Sequence, residues 1–346
     1  MSQESLVRIT LIALWLCLAP SLAGAKTLNV AMHGADSVTC GASNAPCRTI
    51  GRAIANALTG DTVLVGPGYY GDANQDGDFA DSQDEPALLE QACECVVEID
   101  KRITVRSRDG ASATVIDARG VVRRTVAIHF ASGATFQGFT VRGGMQSGVL
   151  VGGDTMKPNR VIGNVADKNL GHGFEIYADD TFVGGNRAFD NGGSGFVIES
   201  EGARLVGNAA SGNGESGFVA VGAVDARISK SVASGNLGTG FSVVNADAEL
   251  DSVVTVGNGL DGVYFAGTGD GRVTRSTIMG NGHAVSSNCG VNNQMGHEIV
   301  AVGNYWGRPN GPGPDPADDQ CLGDGSPLDL DPVKRTENKV TLSAVK

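Results

Sequence analysis

Aromatic side chains are scarce in this chain, at 5% of its 346 residues, and charged side chains make up only 18%. With 41% hydrophobic residues beside so little charge, the composition excludes an intrinsically disordered chain. Glycine, in contrast, is abundant, at 51 residues. This balance is typical of a chain whose residues lie mostly in tight turns or in narrow, filled coils.

Long apolar segments are also missing, apart from Ile9 to Ala19 near the N-terminus. No other run approaches the roughly 18 residues of a membrane helix, so we expect no membrane span. The early apolar run precedes Ala23-Gly24-Ala25, a pattern that predicts a signal peptide at 1–25. We therefore expect a secreted or periplasmic protein, and its oligomeric state stays open.

Positive charge is in short supply. The chain has 26 Lys and Arg against 38 Asp and Glu, which gives a formal net charge of −12. A protein with this balance repels polyanions, acidic polysaccharides included, unless calcium mediates the contact. We also expect no nucleic-acid partner.

Histidine does not occur near Cys93 and Cys95 in the sequence, which argues against a metal–thiolate site there. Six cysteines follow the predicted signal, an even number for an oxidising compartment, and we expect them to be paired. Cys40 with Cys47 and Cys289 with Cys321 can each form a local bridge. Cys93 and Cys95 are separated by one residue, so pairing with each other implies strain and crossed pairing with Cys40 and Cys47 is the alternative.

A repeat of 22 or 23 residues is the strongest pattern in the chain. Each unit carries an asparagine four residues before a Gly-Phe or Gly-Val pair. The asparagines are Asn169, Asn191, Asn213, Asn236 and Asn258, and the pairs begin at Gly173, Gly195, Gly217, Gly240 and Gly262. A period in this range is typical of a solenoid, in which each repeat packs only on its neighbours.

Each repeat is predicted to be one coil of a parallel β-helix. Stretches such as Gly195 to Ile198 and Ala203 to Val206 alternate between two faces, as short strands do, and both are too short for helices. Three such strands joined by Gly/Asn turns fit one period, and equivalent residues stack about 4.8 Å apart. We expect the asparagines to adopt the left-handed turn conformation and to form a hydrogen-bonded ladder.

The repeat Asn213-Gly214-Glu215-Ser216-Gly217-Phe218 and its copies resemble the right-handed parallel β-helix repeats of the pectin-lyase-like superfamily. Residues Asp61 to Tyr70 resemble the first-coil signature of these proteins. Asn304-Tyr305-Trp306-Gly307 resembles the end of secreted, NosD-like members. The resemblance covers roughly residues 40 to 335 and implies an all-β solenoid of about nine coils, with an N-terminal capping helix and disulfide-tied caps.

We expect one β-helix domain at 26–346 after the signal peptide. It divides into an N-terminal cap at 26–60, an acidic insertion at 71–95, regular coils at 134–285, and a C-terminal cap and tail at 286–346. Ile50, Ala53, Ile54, Ala57 and Leu58 follow the spacing of an amphipathic helix, which we expect to cover the first coil. The Tyr305-Trp306 pair is expected to close the other end, or to serve as a platform for sugar rings.

The insertion contains the pattern D-x-N-x-D-G-D-x-x-D, which matches the first half of an EF-hand-like calcium loop. Position 12 of the loop is Gln83 instead of a carboxylate, so an acidic solvated insertion is the alternative. The candidate Ca²⁺ ligands are Asp72, Asn74, Asp76, Asp78 and Asp81.

The motifs of the superfamily's enzymes are weak here. His172 lies in a Gly-His-Gly element like that of polygalacturonase-type hydrolases, but its repeat equivalents are Ser194, Ser216, Thr239 and Asp261, which makes it a variable turn position. A lyase or C5-epimerase needs a base and a group that neutralises a uronate carboxylate. The candidates for these roles are Arg204, Arg227, Glu249 and Asp251.

Two outward-facing columns are predicted to cross the coils. The first is Phe182, Arg204, Arg227, Glu249 and Arg272, and the second is Glu175, Val197, Val219, Ser242 and Tyr264. The first is either a ladder of charges that satisfy one another or a binding face. The second is a partly apolar strip that binds a ligand or lies beneath the tail, Pro327 to Lys346.

The resemblance implies a protein that recognises polysaccharide or cell-envelope glycan through its coil surface, with no clear catalytic centre. The candidate glycan contacts are Arg204, Arg227, Arg272, Tyr264 and Trp306. If the chain is an enzyme, a calcium-assisted polysaccharide lyase or C5-epimerase is favoured over a glycoside hydrolase. A structural or adhesive envelope protein is a further alternative.

Overall fold

The computed structural model describes residues 24–74, 76–79, 81, 84–89, 93–153, 156–283, 289–313, 318–323 and 327–340. The predicted signal peptide therefore lies outside the described residues, apart from Gly24 and Ala25. Within the described part of the chain, no helix is long and apolar enough to cross a membrane.

The described residues form 31 strands and one helix. The N-terminal elements are β1 (Thr27–Val30), α1 (Ile50–Asn56), β2 (Thr62–Val65), β3 (Gly68–Gly71), β4 (Cys95–Ile99), β5 (Thr104–Ser107), β6 (Thr114–Asp117), β7 (Arg124–His129), β8 (Thr135–Gln137), β9 (Thr140–Arg142) and β10 (Ser147–Gly152). The central strands are β11 (Arg160–Ile162), β12 (Val165–Asp167), β13 (His172–Ile176), β14 (Phe182–Gly184), β15 (Arg187–Phe189), β16 (Phe196–Ile198), β17 (Arg204–Val206), β18 (Ala209–Ser211), β19 (Phe218–Val221), β20 (Ala226–Ser229) and β21 (Val232–Ser234). The C-terminal strands are β22 (Phe241–Val244), β23 (Ala248–Asp251), β24 (Val254–Val256), β25 (Val263–Ala266), β26 (Gly271–Thr274), β27 (Thr277–Met279), β28 (Cys289–Gln294), β29 (Ile299–Val300), β30 (Asp319–Leu322) and β31 (Leu328–Asp329).

Every third strand falls in the same sheet, so the chain winds as a helix with three parallel faces. Sheet A has 12 strands in the order β1-β2-β5-β8-β11-β14-β17-β20-β23-β26-β29-β31, sheet C has nine strands from β3 to β27, and sheet D has ten strands from β4 to β30. Because sheet C has nine strands and each coil contributes one, the described chain contains nine complete coils. The predicted all-β solenoid of about nine coils is confirmed.

The interior is filled by residue columns that follow the repeat. Phe174, Phe196, Phe218 and Phe241 stack face to face, with ring centroids 4.7–4.8 Å apart and interplanar angles of 4–7°. All four side chains are buried. The stack fixes the register of neighbouring coils because a slip of one residue would turn every phenylalanine toward solvent.

The predicted asparagine ladder is present and buried. We call it the first ladder; each member donates its side-chain N–H to the Oδ1 of the next, over distances of 2.8–2.9 Å. Its members are Asn169, Asn191, Asn213, Asn236, Asn258 and Asn281, and the last donates to Asp318 at 2.7 Å. The expected left-handed conformation of these asparagines is wrong. The residue before each one has the positive φ, as at Lys168 (55°) and Asp190 (54°), so the turn is made there and the asparagine is free to point inward.

A second ladder was missed by the sequence analysis. Asn164 donates its amide to Asn186 Oδ1 and Asn186 donates to Asn208 Oδ1, both at 3.1 Å. The backbone N–H of Asn208 then donates to the hydroxyl of Ser231. Its sequence signal is a Gly-Asn pair whose asparagine lies five residues before Asn169, Asn191 and Asn213. Ser231 takes the corresponding position before Asn236.

The N-terminal end of the solenoid is covered by helix α1. Helix α1 buries Ile50, Ala53 and Ile54 as predicted, but Leu58 lies beyond the end of the helix and is exposed.

The disulfides are Cys40–Cys47, Cys93–Cys95 and Cys289–Cys321, so crossed pairing is wrong. The tail is anchored near the last coil by Asn338, which donates to the carbonyl of Ser276 at 2.7 Å. Leu342 and Val345, whose packing on the apolar strip was expected, lie outside the described residues.

Candidate functional site

The first outward column lies on sheet A in the predicted register. Phe182 pairs with Arg204, Arg204 with Arg227, Arg227 with Glu249, and Glu249 with Arg272. The structure adds Arg160, which pairs with Phe182 on the N-terminal side. We call Arg160, Phe182, Arg204, Arg227, Glu249 and Arg272 together the arginine column.

The charges along the arginine column are unevenly compensated. The Arg160 guanidinium lies over the Phe182 ring, 4.7 Å from its centroid. Arg227 Nε is 3.7 Å from Glu249 Oε2, and both side chains are partly exposed. Arg204 is exposed and has no ion-pair partner within 4.0 Å among the described residues. The N-terminal half of the column is therefore cationic and open, whereas the C-terminal half contains a carboxylate.

A groove runs beside the open half of this column. It has a volume of about 770 Å³ and is lined by Arg106, Arg108, Gln137, Arg160 and Phe182. Arg108 is paired with Asp109 at 3.0 Å. The arginines reach this groove from neighbouring coils because the outward positions of β5, β8 and β11 are in register.

The candidate catalytic carboxylates are engaged by neighbouring cations and hydroxyls. Asp251 Oδ1 is 2.5 Å from Arg275 Nη2 and accepts a hydrogen bond from Thr274 Oγ1 at 3.0 Å. Glu249 is paired with Arg227 as described above. The structure therefore pairs Arg227 with Glu249, whereas Asp251 is paired with Arg275.

A second cleft, of about 410 Å³, lies at the C-terminal end of the column. Asp225, Asp247 and Asp270 form one wall, and Arg272 and His297 contribute to its lining. Asp247 Oδ1 accepts the backbone N–H of Asp270 at 2.7 Å, and His297 Nε2 is 3.7 Å from Asp270. The first of these contacts gives Asp247 a structural role in the turn before β26.

The other two predicted glycan contacts are separated from the arginine column. Tyr264 lies on sheet D, paired with Ser242 and Asn292. Trp306 is fully buried, with 0% of its surface exposed, so the expectation that it contacts glycan is wrong. Its ring packs over the last coil, where a methyl group at Gly290 would come within 3.1 Å of Cε3. The tryptophan is part of the C-terminal cap.

The second outward column has the predicted register on sheet D but not the predicted exposure. Glu175 is 2% exposed and Val197 is 7% exposed, so only Val219 and the residues after it are open to solvent. The acidic insertion covers the preceding members of the same face. Its Cys93–Cys95 bridge packs with Leu88 on Ala127 and Leu150, the outward residues of β7 and β10, and Tyr177 packs against the same cluster.

The candidate calcium loop is closed by hydrogen bonds among its own residues. Asn74 donates its amide to both Asp76 Oδ2 (2.9 Å) and Asp81 Oδ2 (2.5 Å), which draws those two carboxylates toward one point. Asp72 is buried instead, accepts the backbone N–H groups of Asp76 and Gly77, and lies 3.4 Å from Arg119 Nε. Among the described residues, no three of the loop's carboxylates lie within 4.8 Å of one another.

Burial and neighbouring carboxylates shift the pKa of two acids in the insertion. Burial, followed by the charges of Asp76, Asp78 and Asp84, raises the pKa of Asp81. Burial also raises the pKa of Glu85 to about 7, although the backbone N–H groups of Ile50 and Gly51 donate to this carboxylate at 2.6 and 2.5 Å. Glu85 thus fastens the insertion to the first turn of α1.

The fold and the stacked outward columns define a right-handed parallel β-helix protein with the pectin-lyase-like fold. The family described as right handed beta helix region matches residues 124–258. A comparison with curated proteins found no match.

Three solved structures share this fold at low sequence identity. Pectate lyase Pel9A is 17% identical, with a TM-score of 0.56 over 91% of this chain and 80% of that chain. The A-module of the Azotobacter vinelandii mannuronan C-5 epimerase AlgE4 is 17% identical, with a TM-score of 0.55 over 82% of this chain and 91% of that chain. A rhamnogalacturonan lyase is 16% identical, with a TM-score of 0.55 over 91% and 87% of the two chains. At these identities the likeness establishes the fold alone.

Proposed function

We propose that this protein binds an acidic polysaccharide along the arginine column without cleaving it. The observation that carries the proposal is the exposed Arg204 on sheet A, between Phe182 and Arg227 and without an ion-pair partner among the described residues. Successive coils repeat at about 4.8 Å, close to the length of one sugar ring in an extended chain. Guanidinium groups at this spacing can each pair with a carboxylate of the polymer.

Phe182 supports the same function. It is partly exposed between two arginines, so the face that Arg160 leaves open can contact the C–H surface of a sugar ring. The structural neighbours give independent support, since pectate and mannuronan, named for two of them, are acidic polysaccharides.

The net charge of −12 does not oppose this binding at short range. Exposed charges more than about 8 Å apart are largely screened at physiological ionic strength, whereas a polymer lying on the column is within that distance of its arginines. The charge affects the rate of approach more than the contact itself.

A lyase that used a carboxylate beside the column as its base is disfavoured, because these carboxylates are already paired. A general base must be free to accept a proton. Glu249 is held by Arg227, and Asp251 by Arg275 and Thr274. We also propose that residues 1–25 direct export, which would bring the protein to envelope or extracellular polysaccharides.

Retention of the mature protein on immobilised polygalacturonate and mannuronan, with dextran as a neutral reference, tests this function. Arg204→Ala with Arg227→Ala is expected to weaken retention at least tenfold. The matched control, Lys168→Ala with Arg187→Ala, removes the same charge from exposed positions elsewhere and is expected to stay within about twofold.

Equal loss in both double variants would assign the retention to overall charge and overturn the proposal. Absorbance from unsaturated uronate products, followed with and without calcium, would instead establish the lyase alternative. Far-UV spectra and melting temperatures of the variants establish that the fold is retained.

A further inference from the structure

Sheet D carries a trough of about 620 Å³ that is separate from the arginine column. Its floor is formed by Val219 and Ser242, consecutive members of the second outward column, and the nearly buried Val197 lies at one end. Leu237 and Leu260 rise beside the floor from the turns that precede β22 and β25 and are exposed. The trough therefore offers an apolar surface that is several coils long.

Polar groups line the turn side and one end of the trough. Ser194 Oγ donates to Glu215 Oε2 at 3.0 Å, and the backbone N–H of Ser194 donates to His172 Nδ1 at 2.9 Å. Because Nδ1 is an acceptor, the proton of the neutral imidazole is on Nε2, which leaves that atom as a donor. Ser216 adds a further hydroxyl to the lining.

The buried end of the floor column contains an unsatisfied carboxylate. Glu175 precedes Val197 in the column, and its Oε1 accepts hydrogen bonds from Gln146 (3.3 Å) and Tyr177 (3.4 Å). Its Oε2 is buried and has no hydrogen-bond partner in the described part of the structure. A buried carboxylate oxygen without a donor is costly and points to an additional donor, such as a hydroxyl group or a water molecule.

None of the described residues that line the trough is an arginine or a lysine. Its ionisable lining residues are His172 and Glu215, and Glu175 lies just beyond them. An acidic polymer would therefore be repelled here. A peptide cannot add as a strand, because β13, β16, β19 and β22 already have a neighbour on each side in sheet D.

We propose that this trough binds a neutral saccharide chain. The C–H faces of the sugar rings would lie on Val219, Leu237 and Leu260. Their hydroxyl groups would bond to His172, Glu215 and Ser216. A site with an apolar floor and a few oriented polar groups suits this class of ligand. The inference is independent of acidic polysaccharide binding, since the two sites share no residue.

Titration of the mature protein with cellohexaose, xylohexaose and laminarihexaose, followed by nuclear magnetic resonance or calorimetry, tests the proposal. Val219→Lys puts a cation on the floor of the trough. For whichever saccharide binds the parent protein, this variant is expected to bind at least tenfold more weakly. Val221→Lys is the matched control, since Val221 faces outward from the same strand, is 38% exposed and does not line the trough. It is expected to change affinity less than twofold.

His172→Ala and Glu215→Ala, at surface positions that tolerate truncation, are each expected to weaken binding severalfold. The Arg204→Ala, Arg227→Ala variant is expected to bind these saccharides normally, which separates this site from the arginine column. Absence of binding by all three hexasaccharides, or equal effects of Val219→Lys and Val221→Lys, would overturn the proposal. Preferential binding of an apolar peptide that displaces the saccharide would do the same.

Discussion

Asparagine side chains in the first ladder make hydrogen bonds to both neighbouring coils. Asn213 donates to Asn236 Oδ1 at 2.8 Å and to the carbonyl of Ala188 at 3.1 Å, and its own Oδ1 accepts from the amide of Asn191 at 2.9 Å. A buried amide with this many partners stabilises the turn, and its loss leaves unpaired groups in two coils. The left-handed residue before each asparagine is what lets the amide reach inward.

Asn213→Leu is therefore expected to lower the free energy of unfolding by about 1 to 3 kcal/mol, because the partners of the lost amide remain buried without a bond. The denaturant midpoint measures this change. Gln137→Leu is the control, since it removes an exposed amide from sheet A and should change stability by no more than about 0.5 kcal/mol. An unchanged midpoint for the Asn213 variant would show that the ladder does not contribute to stability.

At the scale of elements, the acidic insertion is the feature that the sequence describes least well. Its composition and position are evident, but its packing on sheet D depends on Leu88, Cys93 and Cys95 meeting outward residues of distant coils. No periodic pattern encodes that contact. The sequence also predicts an exposed Val197, whereas only 7% of this side chain is exposed in the structure.

The attachment of the insertion to α1 is expected to depend on pH. Burial raises the pKa of Glu85 to about 7, with a further increase from Asp36 and a decrease from Arg48. The folded protein thus holds a proton that the unfolded chain loses near pH 4.5, so the free energy of unfolding falls as the pH rises from about 4.5 to about 7. At 1.36 kcal/mol per pKa unit, the Glu85 carboxyl accounts for a decrease in the free energy of unfolding on the order of 3 kcal/mol.

Denaturant titrations across this pH range, compared with Glu85→Gln, measure the effect. The free energy of unfolding should fall more steeply with pH in the parent protein than in the variant. Burial also raises the pKa values of Asp81, Asp167 and Asp261, but these groups contribute equally to both proteins. Parallel curves would mean that Glu85 is ionised in the folded protein throughout.

We propose that the acidic insertion also binds calcium. Asn74, Asp76 and Asp81 converge, but Asp72 is already neutralised by Arg119, so a weak site of about 10⁻⁴ to 10⁻³ M is expected. Calcium should raise the melting temperature by mass action. Calorimetric titration of calcium into the parent protein and into the Asp76→Ala variant measures this binding. Equal heats in the two proteins would show that the loop is only an acidic surface insertion.

For the whole molecule, the repeat was sufficient to predict the solenoid. The Phe and Asn columns recur at 22 or 23 residues because each coil must present the same interior to its neighbours, so fold and register are encoded redundantly. The binding faces are not encoded in this way. The arginine column could be aligned by counting, but the pairing of Asp251 with Arg275 and the burial of Trp306 depend on side-chain packing in a single coil.

The C-terminal cap provides the last prediction, because a solenoid exposes an apolar cross-section wherever it ends. Trp306 is fully buried over the final coil, and Trp306→Ala is expected to cost about 3 to 5 kcal/mol. Since each coil contacts only its neighbours, the loss of stability should be local: hydrogen exchange should accelerate in β28 to β31 and remain unchanged in β5 to β10. Phe130→Ala removes a ring that is 71% exposed and should change neither region. Uniform acceleration along all coils of the Trp306 variant would mean instead that the solenoid unfolds as one cooperative unit.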